Sequence, residues 1–153
     1  MTVLLDSNIL LRLAQATHPM HIPAQRAVTS LQRSGQRLHI VSQNVYEFWV
    51  VATRPIAVNG LGLTAAETDA ELTRLQSLFP LLPDMAGVLG EWHRLVVTHN
   101  VLGKNAHDAR LVAAMMAHGI TQLLTFNTGH FSRYPGITAL DPATVVAPAA
   151  PSP

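Results

Sequence analysis

Near the start of the chain lies the stretch Val3-Leu4-Leu5-Asp6-Ser7-Asn8, in which three apolar residues are followed directly by three polar ones. A short run that is apolar on both faces predicts a central strand of a sheet that is covered on both sides. The polar residues favour a turn into a short helix, with Ser7 or Asn8 as its N-cap. The stretch therefore predicts a buried first strand that ends in a carboxylate.

Short apolar runs and helical periods alternate along the rest of the chain. The predicted strands are 3–5, 38–41, 79–83, 120–126 and 136–140, the third of them suited by its prolines to a sheet edge. The predicted helices are 9–16, 23–34, 42–53, 64–78, 85–99 and 105–118, with Asp84 as the N-cap of the fifth. This alternation predicts a three-layer α/β/α fold with a central, mostly parallel sheet of about four to five strands.

Composition restricts the class of protein. The 153 residues suit one folded domain, which we place at 1–142, followed by an Ala/Pro-rich tail at 143–153 that we expect to be flexible. The net charge is only +1, so contact with nucleic acid must be local. Cysteine is absent, which excludes disulfides and thiolate metal sites. We find no signal peptide or membrane-spanning run and expect a cytoplasmic protein.

Polar residues follow several of the predicted strands. Asp6 ends the first strand, Glu47 lies just after the second, and Asn127 follows the penultimate one. The carboxyl ends of parallel strands share one edge of a sheet, where ligands bind. Asp108 opens a helix instead, so topology places it less firmly. Carboxylates that converge repel by on the order of a few kcal/mol per close pair, and a Mg²⁺ or Mn²⁺ ion would relieve this repulsion.

Each acidic residue also has a simpler interpretation. Asp6 is equally consistent with an N-cap after a buried strand. Glu47 suits the solvated face of a helix, and Asp108 is favoured near a helix N-terminus by the macrodipole. His130 is typical of a loop histidine. Arg110 flanks the predicted edge and is positioned to meet phosphates, although most exposed arginines are simply solvated.

Taken together, four segments resemble the PIN-domain ribonucleases, in particular the VapC-type toxins of bacterial toxin–antitoxin pairs. The segments are Leu4–Asn8, Ser42–Phe48, His107–Ala114 and Leu124–Phe131. The third is the most specific, and all four occur in the order that the family shows. The resemblance covers roughly residues 2–142.

The resemblance implies a site. Asp6, Glu47 and Asp108 would hold Mg²⁺, with Mn²⁺ as a possible substitute. Ser7 and Asn8 would shape the turn after the first strand, and Ser7 would contact metal-bound water.

The last motif departs from the family's pattern. Asn127 stands where many members carry a fourth acidic residue, and His130 stands in the place of a further Asp. The site therefore has up to two fewer negative charges. We expect one firmly held ion, with a second recruited only with substrate phosphate, and Asn127 orienting the attacking water.

The resemblance also implies a function and partners. The implied function is a metal-dependent endoribonuclease that cleaves RNA and is inhibited by a cognate antitoxin. Homodimerisation is implied as well, and the apolar segments Val45–Val51 and Pro23–Leu31 are candidates for these interfaces. A PIN-fold RNA-binding module with little catalysis is the alternative, motivated by the weakened last motif. A phosphatase with Asp6 as nucleophile is disfavoured, because Asn8 stands where such enzymes carry a second Asp.

Overall fold

The computed structural model describes residues 1–145, and its sheet has five parallel strands. The strands are β1 (Thr2–Leu5), β2 (Arg37–Val41), β3 (Leu81–Leu82), β4 (Gln122–Leu124) and β5 (Thr138–Leu140). The sheet order is β3-β2-β1-β4-β5, with every neighbouring pair parallel. The short β3 lies at one edge, as its flanking prolines predict.

Within residues 1–145, six α-helices cover the sheet. They are α1 (Ser7–Leu13), α2 (His21–Arg33), α3 (Ser42–Thr53), α4 (Ala65–Leu78), α5 (Val88–Thr98) and α6 (Asn105–Ala117). Short 3₁₀ helices lie at Ile56–Val58, Thr128–Phe131 and Pro142–Thr144. The predicted α/β/α fold class is confirmed.

The central strand β1 supplies both faces of the core. Val3 and Leu5 lie in one apolar cluster with α1, α2, α3 and α4, whereas Leu4 lies in a second cluster with α5 and α6. Successive side chains of a strand point to opposite faces, which explains this division. All three side chains are fully buried. The apolar opening run therefore places Asp6 at the centre of the sheet's carboxyl edge.

One predicted cap is confirmed and two predictions are wrong. Asp6, and not Ser7 or Asn8, caps α1 by accepting a hydrogen bond from the backbone N–H of Ser7. Asp84 does not cap α5, which begins only at Val88 after Gly87. The Asp84 carboxylate instead accepts a hydrogen bond from the Ser42 hydroxyl at the start of α3. In both cases a tertiary contact or a neighbouring residue competes with the local capping signal.

The predicted domain boundary after residue 142 stays a prediction. Residues Pro142–Thr144 form a 3₁₀ helix, and Val145 packs against the first apolar cluster. The rest of the predicted tail, 146–153, lies outside the described residues. Within residues 1–145, no helix combines the length and the apolar character needed to cross a membrane.

Candidate active site

The candidate site lies at the carboxyl ends of three strands. Asp6 follows β1, α3 starts directly after β2, and Thr125 follows β4. The backbone N–H of Asp6 donates to the carbonyl of Leu124 at 2.9 Å, which extends the pairing of β1 and β4 to the site itself. Polar side chains from these strand ends therefore meet at one edge of the sheet, as the topology predicts.

Asp6 is held rigidly in a nearly dry environment, with 8% of its surface exposed. Its Oδ1 accepts from the Ser7 backbone N–H at 2.7 Å, and its Oδ2 accepts from the Thr125 hydroxyl at 2.7 Å. The Asn8 amide makes a longer contact to the same Oδ2, at 3.4 Å. Three donors thus fix the orientation of a carboxylate that little water reaches.

The charge of Asp6 is costly in this environment. Burial raises the pKa of Asp6 to about 6, while the hydrogen bond from Thr125 lowers it. The charges of Glu47 and Asp108 raise this pKa further. A like charge acts on a pKa in this way only when it lies nearby. The three predicted carboxylates therefore share one electrostatic environment.

Asn8 and Asn44 hold the turns around Asp6. The Asn8 side chain accepts from the backbone N–H of Phe126 at 3.3 Å and donates to the Thr125 hydroxyl at 3.3 Å. The fully buried Asn44 accepts from the Val41 N–H at 2.8 Å and donates to the Ser7 hydroxyl at 3.2 Å. The predicted role of Asn8 in shaping the turn is consistent with these bonds. Ser7 is buried against Asn44.

Glu47 lies half-buried on α3 and is oriented by Gln43, one helical turn earlier. The Gln43 Nε2 donates both to Glu47 Oε1 and to the backbone carbonyl of His107, the latter at 2.7 Å. A single buried amide therefore ties the second carboxylate to the start of α6. The solvated alternative for Glu47 does not describe this arrangement.

Asp108 lies in the first turn of α6 and is half-buried. Its Oδ2 is 3.3 Å from Nδ1 of His130, which lies in the 3₁₀ helix after β4. Burial raises the pKa of Asp108 above its ordinary value, and the nearby His130, His107 and Arg133 oppose that increase. His130 therefore lies against one of the three predicted carboxylates, Asp108.

Asn127 and Arg110 lie at the margin of the site. Asn127 is exposed, and its backbone N–H donates to the Thr125 hydroxyl at 3.0 Å. Its predicted role in orienting water stays a prediction. Arg110 is exposed on α6, one turn after His107.

The donor set suits a hard divalent cation that keeps part of its water shell. Within residues 1–145, no three Asp, Glu or His side chains lie close enough together to enclose an ion by themselves. Mg²⁺ is commonly held by one or two carboxylates, with water and substrate phosphate completing its shell. Asp6, Glu47 and Asp108 offer oxygen ligands of this kind, and a cation would offset the repulsion that raises the pKa of Asp6.

Three further residues of the site did not emerge as candidates from the sequence. Thr125 and Asn44 are fully buried, and Gln43 is 6% exposed. Thr125 directly follows a predicted strand, and Gln43 precedes Glu47 by four positions, which is the spacing of one helix face. These positions could have marked Thr125 and Gln43 as candidates. Their hydrogen-bond partners, Asp6 and His107, are distant in sequence, so the sequence gives no sign of the contacts themselves.

Comparison with known sequences gives a consistent result. A sequence model of the PIN domain matches residues 3–137. A VapC ribonuclease of Mycobacterium bovis and the ribonuclease VapC13 of Mycobacterium tuberculosis are each 30% identical over 138 residues. The alignments cover 90% of this chain and 98% of each relative.

Comparison with solved structures gives the same fold. The VapBC2 complex of Rickettsia felis bound to promoter DNA contains a chain with a TM-score of 0.70 at 16% identity, covering 92% of this chain and 98% of that one. VapBC-1 of nontypeable Haemophilus influenzae gives 0.68 at 18% identity, with 94% and 100% covered. VapC20 of Mycobacterium tuberculosis, described as a toxin that cleaves the sarcin-ricin loop, gives 0.59 at 18% identity, with 79% and 86% covered.

Proposed function

Because the chain belongs to the PIN-domain family, we propose that it is a metal-dependent endoribonuclease and the toxin of a toxin–antitoxin pair. Both mycobacterial relatives carry ribonuclease names and align over nearly their whole length, which supports RNA cleavage. The predicted family is confirmed. The dependence on Mg²⁺ or Mn²⁺ is a proposal that rests on the geometry of the site.

The observation that carries this proposal is the electrostatic coupling of three carboxylates at the sheet edge. The charges of Glu47 and Asp108 act on Asp6, although the three residues come from different elements. Three buried or half-buried carboxylates with no Lys or Arg bonded to them in residues 1–145 are costly unless a cation binds there. The site therefore favours chemistry that uses a divalent ion.

The protein's own side chains orient the groups that would hold the ion. Ser7 and Thr125 fix the two oxygens of Asp6, while Gln43 fixes Glu47. His130 contacts Asp108 and balances part of its charge when protonated. When bound, the metal would lower the pKa of an attacking water and offset charge on the phosphate.

RNA itself would be positioned by groups around the carboxylates. Arg110 is exposed beside His107 and is placed to contact a phosphate. Asn127 offers an exposed amide at the same edge, suited to hydrogen bonding a water molecule. Attack of that water on phosphorus would form one P–O bond and break another, giving a phosphate monoester and a ribose hydroxyl that takes up the water's proton.

The proposal is tested by cleavage of total RNA with and without Mg²⁺ or Mn²⁺. We expect discrete fragments from the wild type and at least a hundredfold slower cleavage by the Asp108→Asn variant, because the amide removes an anionic ligand. Asp69→Asn is the matched control, since Asp69 is an exposed carboxylate on α4. Full cleavage by Asp108→Asn, or cleavage in the presence of a chelator, would exclude the proposed mechanism.

An RNA-binding module with little catalysis is the second candidate. Asn127 and His130 stand where further acidic residues are expected, and the loss of those carboxylates favours this candidate. This candidate predicts RNA binding that survives Asp6→Asn and no cleavage with any divalent ion. The same experiment, with a binding measurement on the uncleaved RNA, therefore separates the two functions.

The proposed partners are a cognate antitoxin and a second copy of the chain. The structural neighbours from Rickettsia felis and Haemophilus influenzae are toxin–antitoxin complexes, which supports an antitoxin. Tyr46, Trp49 and Val50 are exposed on α3 and offer an apolar surface for a homodimer. Cytoplasmic location stays a prediction.

A further inference from the structure

A cavity of about 510 Å³ opens next to Gln43 and His107, and no occupant has been assigned to it above. Its walls come from the start of α3, the segment 83–86 before α5, and the facing sides of α5 and α6. Ligand pockets of a few hundred Å³ take a drug-sized molecule, so this cavity has room for a nucleoside.

The cavity is continuous with the site through Gln43 and His107. Both residues line it. Gln43 bonds Glu47 on one side and the His107 carbonyl on the other, and His107 directly precedes Asp108. The Oε1 atom of Gln43 is buried and has no hydrogen-bond partner within residues 1–145. A ligand that contacts Gln43 and His107 in the cavity is therefore separated by one residue from Glu47 and from Asp108.

The apolar and aromatic residues of the lining suit the base of a nucleotide. Trp92, Met85 and Val88 are among its apolar residues. The indole N–H of Trp92 donates to the Ala106 carbonyl at 2.8 Å, so the ring itself is what Trp92 offers to a ligand. Aromatic rings stack with the bases of single-stranded RNA, independently of sequence.

Arg110 gives the lining of the cavity a positive charge that is available to a ligand. Asp84 also lines the cavity, but its carboxylate accepts a hydrogen bond from the Ser42 hydroxyl at the start of α3. Within residues 1–145, Arg110 forms no ion pair with an acidic side chain. Arg110 can therefore meet the phosphate of a nucleotide whose base lies against Trp92.

We propose that this cavity binds the base of an unstacked nucleotide next to the scissile phosphate of a single-stranded RNA, so that the cavity contributes to the choice of cleavage position. This inference rests on the proposed ribonuclease function. An apolar side chain of a protein partner is the competing occupant, and the experiments below distinguish the two.

The first test fills the cavity without touching the carboxylates. Ala114 lines it from α6, and Ala114→Leu should lower kcat/KM for RNA at least tenfold and change the preferred cleavage positions. Ala66→Leu, on the exposed surface of α4, is the matched control.

Ala86→Glu is a second variant at an exposed lining position, where a new negative charge should repel the RNA with no risk to the core. Unchanged kcat/KM and cleavage positions in both lining variants would overturn the proposal while the ribonuclease function stood.

The second test measures binding without cleavage. Trp49 and Trp92 are the only tryptophans, so a Trp49→Phe background leaves Trp92 as the sole indole fluorophore. AMP, CMP, GMP and UMP are titrated in the presence of a chelator. We expect at least one to quench Trp92, and Ala114→Leu to weaken that binding at least tenfold.

The outcomes separate this inference from the proposed function. Quenching that Ala114→Leu removes, in a protein that never cleaves RNA, would support the cavity and reject the ribonuclease. The opposite result has two parts: none of the four nucleotides quenches Trp92, and Ala114→Leu no longer forms a stable complex with a purified antitoxin or a second copy of the chain. This result would assign the cavity to a protein partner and overturn the nucleotide proposal.

Discussion

At the scale of single residues, Asp6 is the most informative side chain. It caps α1, ends β1 and accepts hydrogen bonds from Ser7 and Thr125. The capping and metal-binding interpretations of Asp6 are therefore not exclusive, because one oxygen caps the helix while the charges of Glu47 and Asp108 still act on the carboxylate. The combination costs stability when no cation is bound, since a buried charge with like-charged neighbours is unfavourable.

We predict that Asp6→Asn stabilises the protein in the presence of a chelator. The difference between a pKa of 3.8 and about 6 corresponds to about 3 kcal/mol against the charged form, and asparagine caps a helix as well as aspartate does. The asparagine amide nitrogen cannot accept the hydrogen bond that Thr125 donates to Oδ2, and this loss offsets part of the gain. Thermal unfolding at pH 8 should therefore give a higher Tm for this variant. Asp69→Asn, at an exposed position, should leave the Tm unchanged.

The pH dependence of this effect has a definite sign. The folded protein binds a proton at Asp6 more tightly than the unfolded chain, so this group's contribution favours folding below pH 3.8 and is lost as the pH rises through about 6. The advantage of Asp6→Asn should be small at pH 4 and complete by pH 7. An advantage that shrinks as the pH rises would contradict the assignment.

At the scale of elements, the site depends on the relative placement of α3 and α6. The two helices carry Glu47 and Asp108, and Gln43 links them through its bond to the His107 carbonyl. The Gln43 amide donates both of its bonds inside the protein, although within residues 1–145 its buried Oε1 has no partner, and removing the side chain would take a donor from both a carbonyl and a carboxylate. Gln43 therefore acts as a positioning residue for Glu47.

We predict that Gln43→Leu lowers the cleavage rate at least tenfold and raises the Mg²⁺ concentration needed for half-maximal cleavage. Both changes follow if Glu47 loses its orientation toward the shared site. The measurement is a Mg²⁺ titration of RNA cleavage, with the exposed Gln76→Leu on α4 as control. A normal Mg²⁺ midpoint in Gln43→Leu would show that Gln43 is only structural.

At the scale of the whole molecule, the sheet order explains why the site lies where it does. β1 is the central strand, with β2 and β4 on its two sides, so the segments that follow all three strands meet around Asp6. The outer face of α3 meanwhile leaves Tyr46, Trp49 and Val50 exposed. Contiguous apolar surface of this kind typically marks an interface.

We predict that the protein is a homodimer through α3 and that Val50→Glu makes it a monomer. Val50 is 54% exposed, so the substitution should not disturb the core. At a symmetric interface the new carboxylate would be buried opposite the same carboxylate of the second copy, and the repulsion should separate the dimer. Analytical ultracentrifugation gives the oligomeric state. Leu102→Glu replaces another exposed apolar residue outside α3 and should remain dimeric. A wild-type monomer would exclude the homodimer.

The sequence alone was sufficient for the family and the fold class, and it predicted a shared site for Asp6, Glu47 and Asp108. Apolar runs and helical periods are local patterns, and the alternation of strands with helices restricts a chain of this length to few topologies. The motifs around Asp6, Glu47 and Asp108 could be recognised for the same reason, since each is a few residues long. The edge strand β3 was also predictable, because its prolines exclude a central position.

Only the tertiary structure determined how these residues act on one another. Thr125 bonds Asp6 across 119 positions of the chain, and Gln43 bonds His107 across 64. The wrong cap at Asp84 has the same origin, since its partner Ser42 is 42 positions away. Local patterns carry no information about such pairs, because the distance between two side chains depends on the packing of the whole sheet and its helices. The pKa of Asp6 depends on that packing too, because burial and neighbouring charge exist only in the folded chain.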